Sequence, residues 1–206
     1  ILSARDLSVR FGGVLAVNKV SFDVREGEVF TLIGPNGAGK TTVFNLISRI
    51  YTPTTGEIDY LGKKLTDQPP HAIAALGIAR TFQNIELFEH ATVLHNLLIG
   101  RHTHRQTGFL RDMFFTPAAR EAELQARLKA EEVIDLLHLQ HYRDTMVAGL
   151  PYGVRKVVEL ARALCTEPKL LLLDEPSSGL NVEETDDMAF WIQDIQQELG
   201  ITVLMV

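Results

Sequence analysis

Two short stretches of the sequence contain residues whose types and spacing are typical of a ligand-binding or catalytic site. Residues 34–41 (GPNGAGKT) match the pattern G-x-x-x-x-G-K-[ST] of a phosphate-binding loop without a mismatch. Gly37 and Gly39 let the backbone wrap closely round a phosphate, and a helix that begins near Lys40 adds the positive end of its dipole. The Lys40 ammonium can reach the β and γ phosphates of a nucleotide, and the Thr41 hydroxyl can ligate Mg²⁺.

An ordinary glycine turn between a strand and a helix is the alternative interpretation of this loop. It explains the glycines but neither the lysine nor the threonine, so phosphate binding is the favoured prediction. The residues predicted to surround the phosphates are Gly34, Pro35, Asn36, Gly37, Ala38, Gly39, Lys40, Thr41 and Thr42.

The second stretch is a pair of carboxylates, Asp174 and Glu175, directly after the apolar run 170–173. Ligands of an open parallel sheet bind beyond the carboxyl ends of its strands, and the phosphate loop also follows an apolar run. We therefore expect both stretches to meet at one edge of a sheet. Asp174 would hold Mg²⁺ through water, and Glu175 would be the general base that polarises the attacking water. Acidic residues that merely end a strand at solvent are the alternative, which the phosphate loop disfavours.

The elements that must position these residues are predicted to be α/β at both ends of the chain and helical between them. Period-2 alternation and short apolar runs indicate strands, and apolar steps of three and four indicate helices. Strands are predicted over residues 20–24, 28–33, 57–61, 169–173 and 201–206. Helices are predicted over residues 40–50, 153–166 and 182–199 and, with a loop at 105–116, through 92–139. An α/β core of residues 1–90 and 150–206 would then carry a helical lobe at about 91–149.

Composition excludes several classes of protein. The chain has 206 residues, of which 46% are hydrophobic and 22% charged, so it can bury a core without disulfides. Its net charge of −6 disfavours a general nucleic-acid binder. Cys165 is the single cysteine, which fits a reducing compartment. No apolar run approaches the roughly 18 residues that span a bilayer.

The order of these motifs resembles that of the ATP-binding subunit of an ATP-binding-cassette (ABC) transporter, over nearly all of the chain. The resemblance implies an α/β fold with a P-loop NTPase-type, mostly parallel sheet core, an N-terminal antiparallel β subdomain and the inserted helical subdomain. It implies an ATPase that uses ATP and Mg²⁺, with residues 1–206 as one nucleotide-binding domain. The family places a histidine shortly after the last predicted strand. Because none of the seven histidines lies there, we expect the domain to be incomplete at its C-terminus.

The resemblance also implies roles for residues outside the two stretches. Phe11 lies where the family has an aromatic residue that stacks on adenine, with core packing as the alternative, and Ala16 would pack beside the same ring. Gln83, within residues 80–84, resembles the glutamine loop, whose amide contacts Mg²⁺ or the attacking water. The predicted catalytic residues are Lys40, Gln83 and Glu175, and the predicted magnesium ligands are Thr41, Gln83 and Asp174.

Two segments are implied to lie between two cassettes packed head to tail. Residues 150–154 (LPYGV) replace the usual Leu-Ser-Gly-Gly-Gln signature, which caps the γ-phosphate bound to the opposite cassette. Pro151 has neither an N–H nor a hydroxyl and Val154 has no amide, so we expect weaker support for hydrolysis there. Asn181 stands where the interface loop usually has Asp. The residues implied at this interface are Leu150, Pro151, Tyr152, Gly153, Val154, Ser178, Gly179, Leu180 and Asn181.

Several stretches resemble the subgroup that imports branched-chain and other hydrophobic amino acids: residues 10–18, 44–48, 78–84 and the long insert after Phe88. Urea and amide importers of the same plan remain open. The implied partners are integral membrane permease subunits, a second ATPase subunit that is identical or different, and, indirectly, a solute-binding protein. No nucleic acid is expected. The subunit would lie peripherally on the cytoplasmic face of the inner or plasma membrane.

Two other functions stay open. One is a soluble cassette that acts on nucleic acid or the ribosome, against which the negative charge and the lack of a long coiled-coil insert count. The other is a regulatory cassette with weak hydrolysis, which Pro151 and Val154 favour. A kinase or GTPase with the same phosphate loop would not explain Gln83, Glu175 and the helical lobe together.

Overall fold

Two four-stranded sheets and the helices around them form the part of the chain described by this computed structural model, which comprises residues 1–81, 85–101 and 117–206. The strands and longer helices, in chain order, are β1 (Leu2–Phe11), β2 (Val14–Val24), β3 (Val29–Thr31), α1 (Lys40–Ile47), β4 (Thr55–Tyr60), β5 (Lys63–Lys64), β6 (Ile78–Arg80), α2 (Val93–Gly100), α3 (Pro117–Leu136), α4 (Tyr152–Leu164), β7 (Leu170–Leu173), α5 (Val182–Leu199) and β8 (Thr202–Met205).

The first sheet is antiparallel and has the strand order β2-β1-β4-β5. Ala4 of β1 pairs with Phe22 of β2 and with Ile58 of β4. Ala4 and Ile58 are fully buried, whereas alternate residues such as Arg5 face solvent, as expected for a sheet with one wet face. This sheet is the N-terminal β subdomain that the resemblance implies.

The second sheet is parallel throughout and has the order β3-β8-β7-β6. All four residues of β7 are buried, as is usual for an inner strand of a parallel sheet. Because side chains alternate along a strand, Leu170 and Leu172 pack into a core cluster with the antiparallel sheet and α1, while Leu171 and Leu173 pack into a second cluster with the helices. The carboxyl ends of β3, β6 and β7 lie at one edge.

Helices α2 and α3 pack onto α4. Thr92 caps α2 by accepting a hydrogen bond from the backbone N–H of His95. Asn96 is fully buried, and its side-chain amide donates to the backbone oxygens of Phe88 and Thr92. The loop predicted at 105–116 lies outside the described residues. Among the described helices, none is both long enough and apolar enough to cross a lipid bilayer.

Most predicted elements are confirmed, but strand β2 begins six residues earlier than predicted, the helix α1 ends early, and strands β1, β5 and β6 are absent from the predicted ranges. The helix predicted over 40–50 ends at Ile47, because Arg49 adopts a left-handed φ of 60° and the Tyr51 N–H bonds back to the Asn45 carbonyl. Strand β6 was absent from the prediction, since three residues are too few to show a period.

Candidate nucleotide-binding site

The phosphate loop joins β3 to α1 as a tight turn. Gly37 and Gly39 have φ values of 83° and 88°, in the left-handed region that favours glycine. The Lys40 ammonium folds across the loop and donates to the carbonyl oxygens of Gly34 and Pro35 at 2.7 and 3.0 Å. The first turn of α1 contains no acidic residue of its own, and the positive end of its dipole points toward the loop. The loop therefore presents an ammonium and a helix N-terminus at one place.

Strand β2 lies directly against this loop. A β-carbon on Gly39 would lie 2.5 Å from the carbonyl oxygen of Ala16 and 3.2 Å from Cγ2 of Val17, so only glycine fits. Phe11, at the end of β1, is 45% exposed, so it is not a core residue. Its ring meets that of Tyr51 edge-on, with centroids 4.9 Å apart. The structure thus leaves Phe11 at the surface and brings Ala16 into contact with the loop.

Thr41 and Asp174 are 133 residues apart in sequence, but their side chains meet at the sheet edge. The Thr41 hydroxyl donates to Oδ1 of Asp174 at 3.4 Å, and the Asp174 side chain is 1% exposed. A hydroxyl and a carboxylate are oxygen donors of the kind that Mg²⁺ prefers when phosphates complete its coordination. Within the described ranges, no group of three or more His, Cys, Asp and Glu side chains forms a metal cage. The donor set therefore fits a cation shared with a phosphate ligand.

Arg80, at the end of β6, holds the other oxygen of the same carboxylate. Its Nη2 lies 2.9 Å from Oδ2 of Asp174, and its side chain is 8% exposed. Sequence reasoning assigned Arg80 no role. The signal that could have found it is a basic residue at a strand end beside a buried acid, because buried charges are almost always paired.

Glu175 follows Asp174 with a backbone φ of 50°, which is uncommon for a residue with a side chain. Its carbonyl accepts a hydrogen bond from the backbone N–H of Ser178 at 3.0 Å, and this hydrogen bond closes a turn after β7. The Glu175 side chain is half-buried. Left-handed residues of this type cluster at functional sites. Gln83 lies outside the described residues.

The segment at 150–154 and the loop after Glu175 pack against each other within the chain. The N-cap of α4 is Pro151, and the first turn of the helix contains no acidic residue. The Tyr152 ring covers Gly179, where a β-carbon would lie 2.9 Å from Cε1, and the Tyr152 hydroxyl donates to the Ser178 carbonyl at 3.4 Å. Gly179 also has a φ of 80°, so both the backbone angle and the close Tyr152 ring favour glycine at this position.

Asn181 closes the same loop by capping α5. Its side-chain oxygen accepts the backbone N–H of Glu184 at 2.9 Å, and the Glu184 carboxylate accepts the backbone N–H of Asn181 at 3.0 Å. The carboxyl carbon of Glu184 also lies against Gly153, 2.6 Å from where a β-carbon would stand. The sequence did not predict this contact, because it joins two helices that are distant along the chain.

A family model described as ABC transporter matches residues 17–178, which is well over half of the chain. The chain belongs to the ABC transporter family. It is an ATPase cassette of that family, as the order of its motifs predicts.

Curated relatives of this cassette match along its whole length. The "High-affinity branched-chain amino acid transport ATP-binding protein BraF" of Pseudomonas aeruginosa is 43% identical over 206 residues, which are 100% of this chain and 81% of that protein. The "High-affinity branched-chain amino acid transport ATP-binding protein LivG" of Escherichia coli K12 is 38% identical over the same shares of the two chains. The crystal structure of the ADP conformation of MJ1267, an ATP-binding cassette of an ABC transporter, superposes with a TM-score of 0.85 at 33% identity. It covers 100% of this chain and 80% of MJ1267.

An open groove of about 450 Å³ lies between β6 and the helices beside it. Its walls come from the end of α1 and β6 on one side and from α2 and α4 on the other. Ile50 and Ile99, which line it, are 51% and 44% exposed, and Arg80 lines it from the side of Asp174. Burial lowers the pKa of the Arg162 guanidinium, which lies in the groove and donates to the Glu86 carbonyl at 2.6 Å.

Proposed function

We propose that this cassette binds Mg–ATP on its phosphate loop and hydrolyses it to drive import of branched-chain or other hydrophobic amino acids. The observation that carries the catalytic part is the contact between Thr41 and Asp174 at the end of the parallel sheet. The amino acid class is supported by BraF and LivG, both of which are named for branched-chain amino acid transport.

The residues of the loop would each bind a different part of the nucleotide. The Lys40 ammonium, held near the loop carbonyls, would turn to the β and γ phosphates. The backbone N–H groups at the start of α1 would donate to phosphate oxygens. Phe11 would stack on the adenine through its exposed face, with Ala16 beside it.

Hydrolysis would depend on four side chains, those of Thr41, Gln83, Asp174 and Glu175. The Thr41 hydroxyl and the Asp174 carboxylate would hold Mg²⁺, together with Gln83. Bound there, the cation neutralises phosphate charge and polarises the γ-phosphate. Glu175 would accept the proton of a water that attacks the γ-phosphorus in line, while ADP leaves.

A second ATPase subunit is proposed to complete the site. The loop residues 35–38 are exposed, and so is Tyr152 at the start of α4. The N-terminus of α4 would bind a phosphate held by the opposite cassette in competition with the carboxylate of Glu184, which lies against Gly153 there. The interface would also include the loop from Ser178 to Asn181.

The groove beside β6 is the proposed docking place for the permease. Exposed isoleucines flank it, and Arg80 links it to Asp174. The proposed core of residues 1–90 and 150–206 would supply β6 and α4 to the groove, and the proposed helical lobe at 91–149 would supply Ile99 and Gly100. Bound to a permease, the cassette would lie on the cytoplasmic face of the membrane, and the permease would receive solute from a solute-binding protein.

The test combines binding, turnover and uptake. Calorimetry with a non-hydrolysable ATP analogue and Mg²⁺ should show saturable binding, and Glu175→Gln should bind equally well yet lose roughly 10²-fold or more in turnover. Glu198→Gln, an exposed acid at the far end of α5, is the matched control. Equal turnover of Glu175→Gln and the control would remove Glu175 from its role. In liposomes that contain the permease subunits and both ATPase subunits, with the solute-binding protein added, ATP should drive uptake of leucine but not of glutamate.

A regulatory cassette with weak hydrolysis is a second candidate, because Pro151 offers α4 neither a hydroxyl nor an N–H at its cap. The double variant Pro151→Ser with Val154→Gln should then raise the turnover of the paired cassettes. Unchanged turnover would argue against this candidate.

A further inference from the structure

We propose that Arg80 is a positioning residue that fixes the carboxylate of Asp174 for the magnesium ion. The inference rests on the proposed function, since it presupposes a nucleotide that shares a cation with Asp174. Arg80 reaches the carboxylate from the neighbouring strand, because β6 pairs with β7 in parallel with Arg80 opposite Leu172. No predicted role of the phosphate loop or of the acidic pair includes this guanidinium.

The two oxygens of Asp174 have different partners. Oδ2 accepts from Arg80 at 2.9 Å, and Oδ1 faces the Thr41 hydroxyl at 3.4 Å. Rotation of the carboxylate would therefore break a short, charge-assisted hydrogen bond. As long as Arg80 holds Oδ2, Oδ1 is the oxygen presented to the cation side, next to Thr41.

The guanidinium is itself anchored on the helix that follows the phosphate loop. Its Nη1 donates to Oδ1 of Asn45 at 2.7 Å and to the Ser48 hydroxyl at 3.4 Å, and it lies 5.6 Å from the centre of the Phe44 ring. Asn45 and Phe44 belong to α1, whose first turn contains Thr41. Arg80 therefore sets the spacing between the two magnesium-binding oxygens as well as the orientation of one of them.

Only a planar group with several donors can both orient the Asp174 carboxylate and hold it at a fixed distance from α1. A lysine keeps the positive charge, but it offers a single nitrogen and cannot bind Asp174 and Asn45 in the same fixed geometry. If only the charge mattered, Arg80→Lys would leave Mg²⁺ binding unchanged, because a lysine repels the cation as much as an arginine does. Arg80→Lys therefore separates positioning from charge.

The test measures how Mg²⁺ changes the affinity for a non-hydrolysable ATP analogue, by calorimetry in EDTA and across a Mg²⁺ titration. In EDTA, the wild type and Arg80→Lys should bind equally, because the phosphate loop does not use Arg80. The Mg²⁺ concentration that gives half of the affinity gain should rise about tenfold or more in Arg80→Lys, as for other residues that orient metal ligands. Arg5→Lys is the matched control, since Arg5 pairs with Asp23 at 2.7 Å on an exposed sheet face.

The Mg²⁺ titrations test the positioning role of Arg80 and the proposed function separately. Equal Mg²⁺ titrations for the wild type and Arg80→Lys would overturn the positioning role, whereas a wild type that binds no nucleotide even with Mg²⁺ would overturn the proposed function instead. Asn45→Ala removes one anchor of the guanidinium and leaves the charge pair intact, so it serves if Arg80→Lys does not fold. It should shift the Mg²⁺ titration in the same direction, and an unshifted titration would overturn the inference.

Discussion

Gly153 at the start of α4 lies against the carboxylate of Glu184 in the first turn of α5. The same carboxylate accepts the backbone N–H of Asn181 and so completes the capping box of α5. The start of one helix thus rests on the cap of another, and both belong to segments implied to face a second cassette. A side chain at position 153 would have to displace the capping group.

Gly153→Ala should cost about 1 kcal/mol through the lost cap, measured against the gain of roughly 0.5–1 kcal/mol that alanine brings inside a helix. Its β-carbon would push the flexible Glu184 carboxylate out of the capping box. Thermal or urea unfolding would measure the change. Gly149→Ala is the control, because nothing lies within 4 Å of its β-carbon. In a Glu184→Ala background the Gly153→Ala cost should vanish, and an additive double variant would contradict the mechanism.

Gly39→Ala should destabilise the cassette by several kcal/mol and abolish nucleotide binding. The new methyl group would collide with the backbone of Ala16, and the residue would need a φ of 88°. The left-handed conformation alone costs roughly 1–2 kcal/mol, and overpacking against backbone adds about 1–3 kcal/mol. Gly62→Ala, with a φ of 75° and open space around it, should show only the first cost. Equal losses in the two variants would show that the contact with β2 is unimportant.

The thiol of Cys165 should be inert in the folded cassette. It is completely buried, and burial raises its pKa to about 12. At pH 8 an aromatic disulfide reagent should modify it only on unfolding. Because the folded pKa is raised, this thiol favours the folded state below its ordinary pKa near 9, and the contribution falls as the pH rises from about 9 to about 12. Rapid native labelling at pH 8 would contradict this prediction.

Asn181→Asp should leave the stability within about 0.5 kcal/mol, since both residues cap helices well, whereas Asn181→Ala should cost about 1 kcal/mol. The structural reason is the bond from the Glu184 N–H to the Asn181 side-chain oxygen. Parallel urea unfolding of the three proteins would compare them. If alanine proves as stable as asparagine, the cap contributes nothing.

Local pattern predicted the elements that repeat over several residues. The strand, the glycine loop and the helix at 28–50 can be predicted because each has its own periodicity or motif. The four leucines of β7 indicate a buried strand. The meeting of Thr41 and Asp174 was also expected, since both follow parallel strands. The roles of Phe11 and Gln83 stay predictions.

Contacts between distant residues that belong to no recognised motif were not predicted from the sequence. The partners of Arg80 lie 35 residues before it, at Asn45, and 94 residues after it, at Asp174, and no motif records either distance. The early end of α1 depends on one backbone angle at Arg49. The contact between Gly153 and Glu184 depends on how two helices cross.

The alternation of leucines along β7 has a mechanical consequence. Leu170 and Leu172 pack in one hydrophobic cluster, and Leu171 and Leu173 pack in the other. A shift of the strand along its axis would therefore disturb both clusters. Asp174 is attached to the end of that strand. A displacement of either cluster would therefore be passed to the carboxylate along the strand.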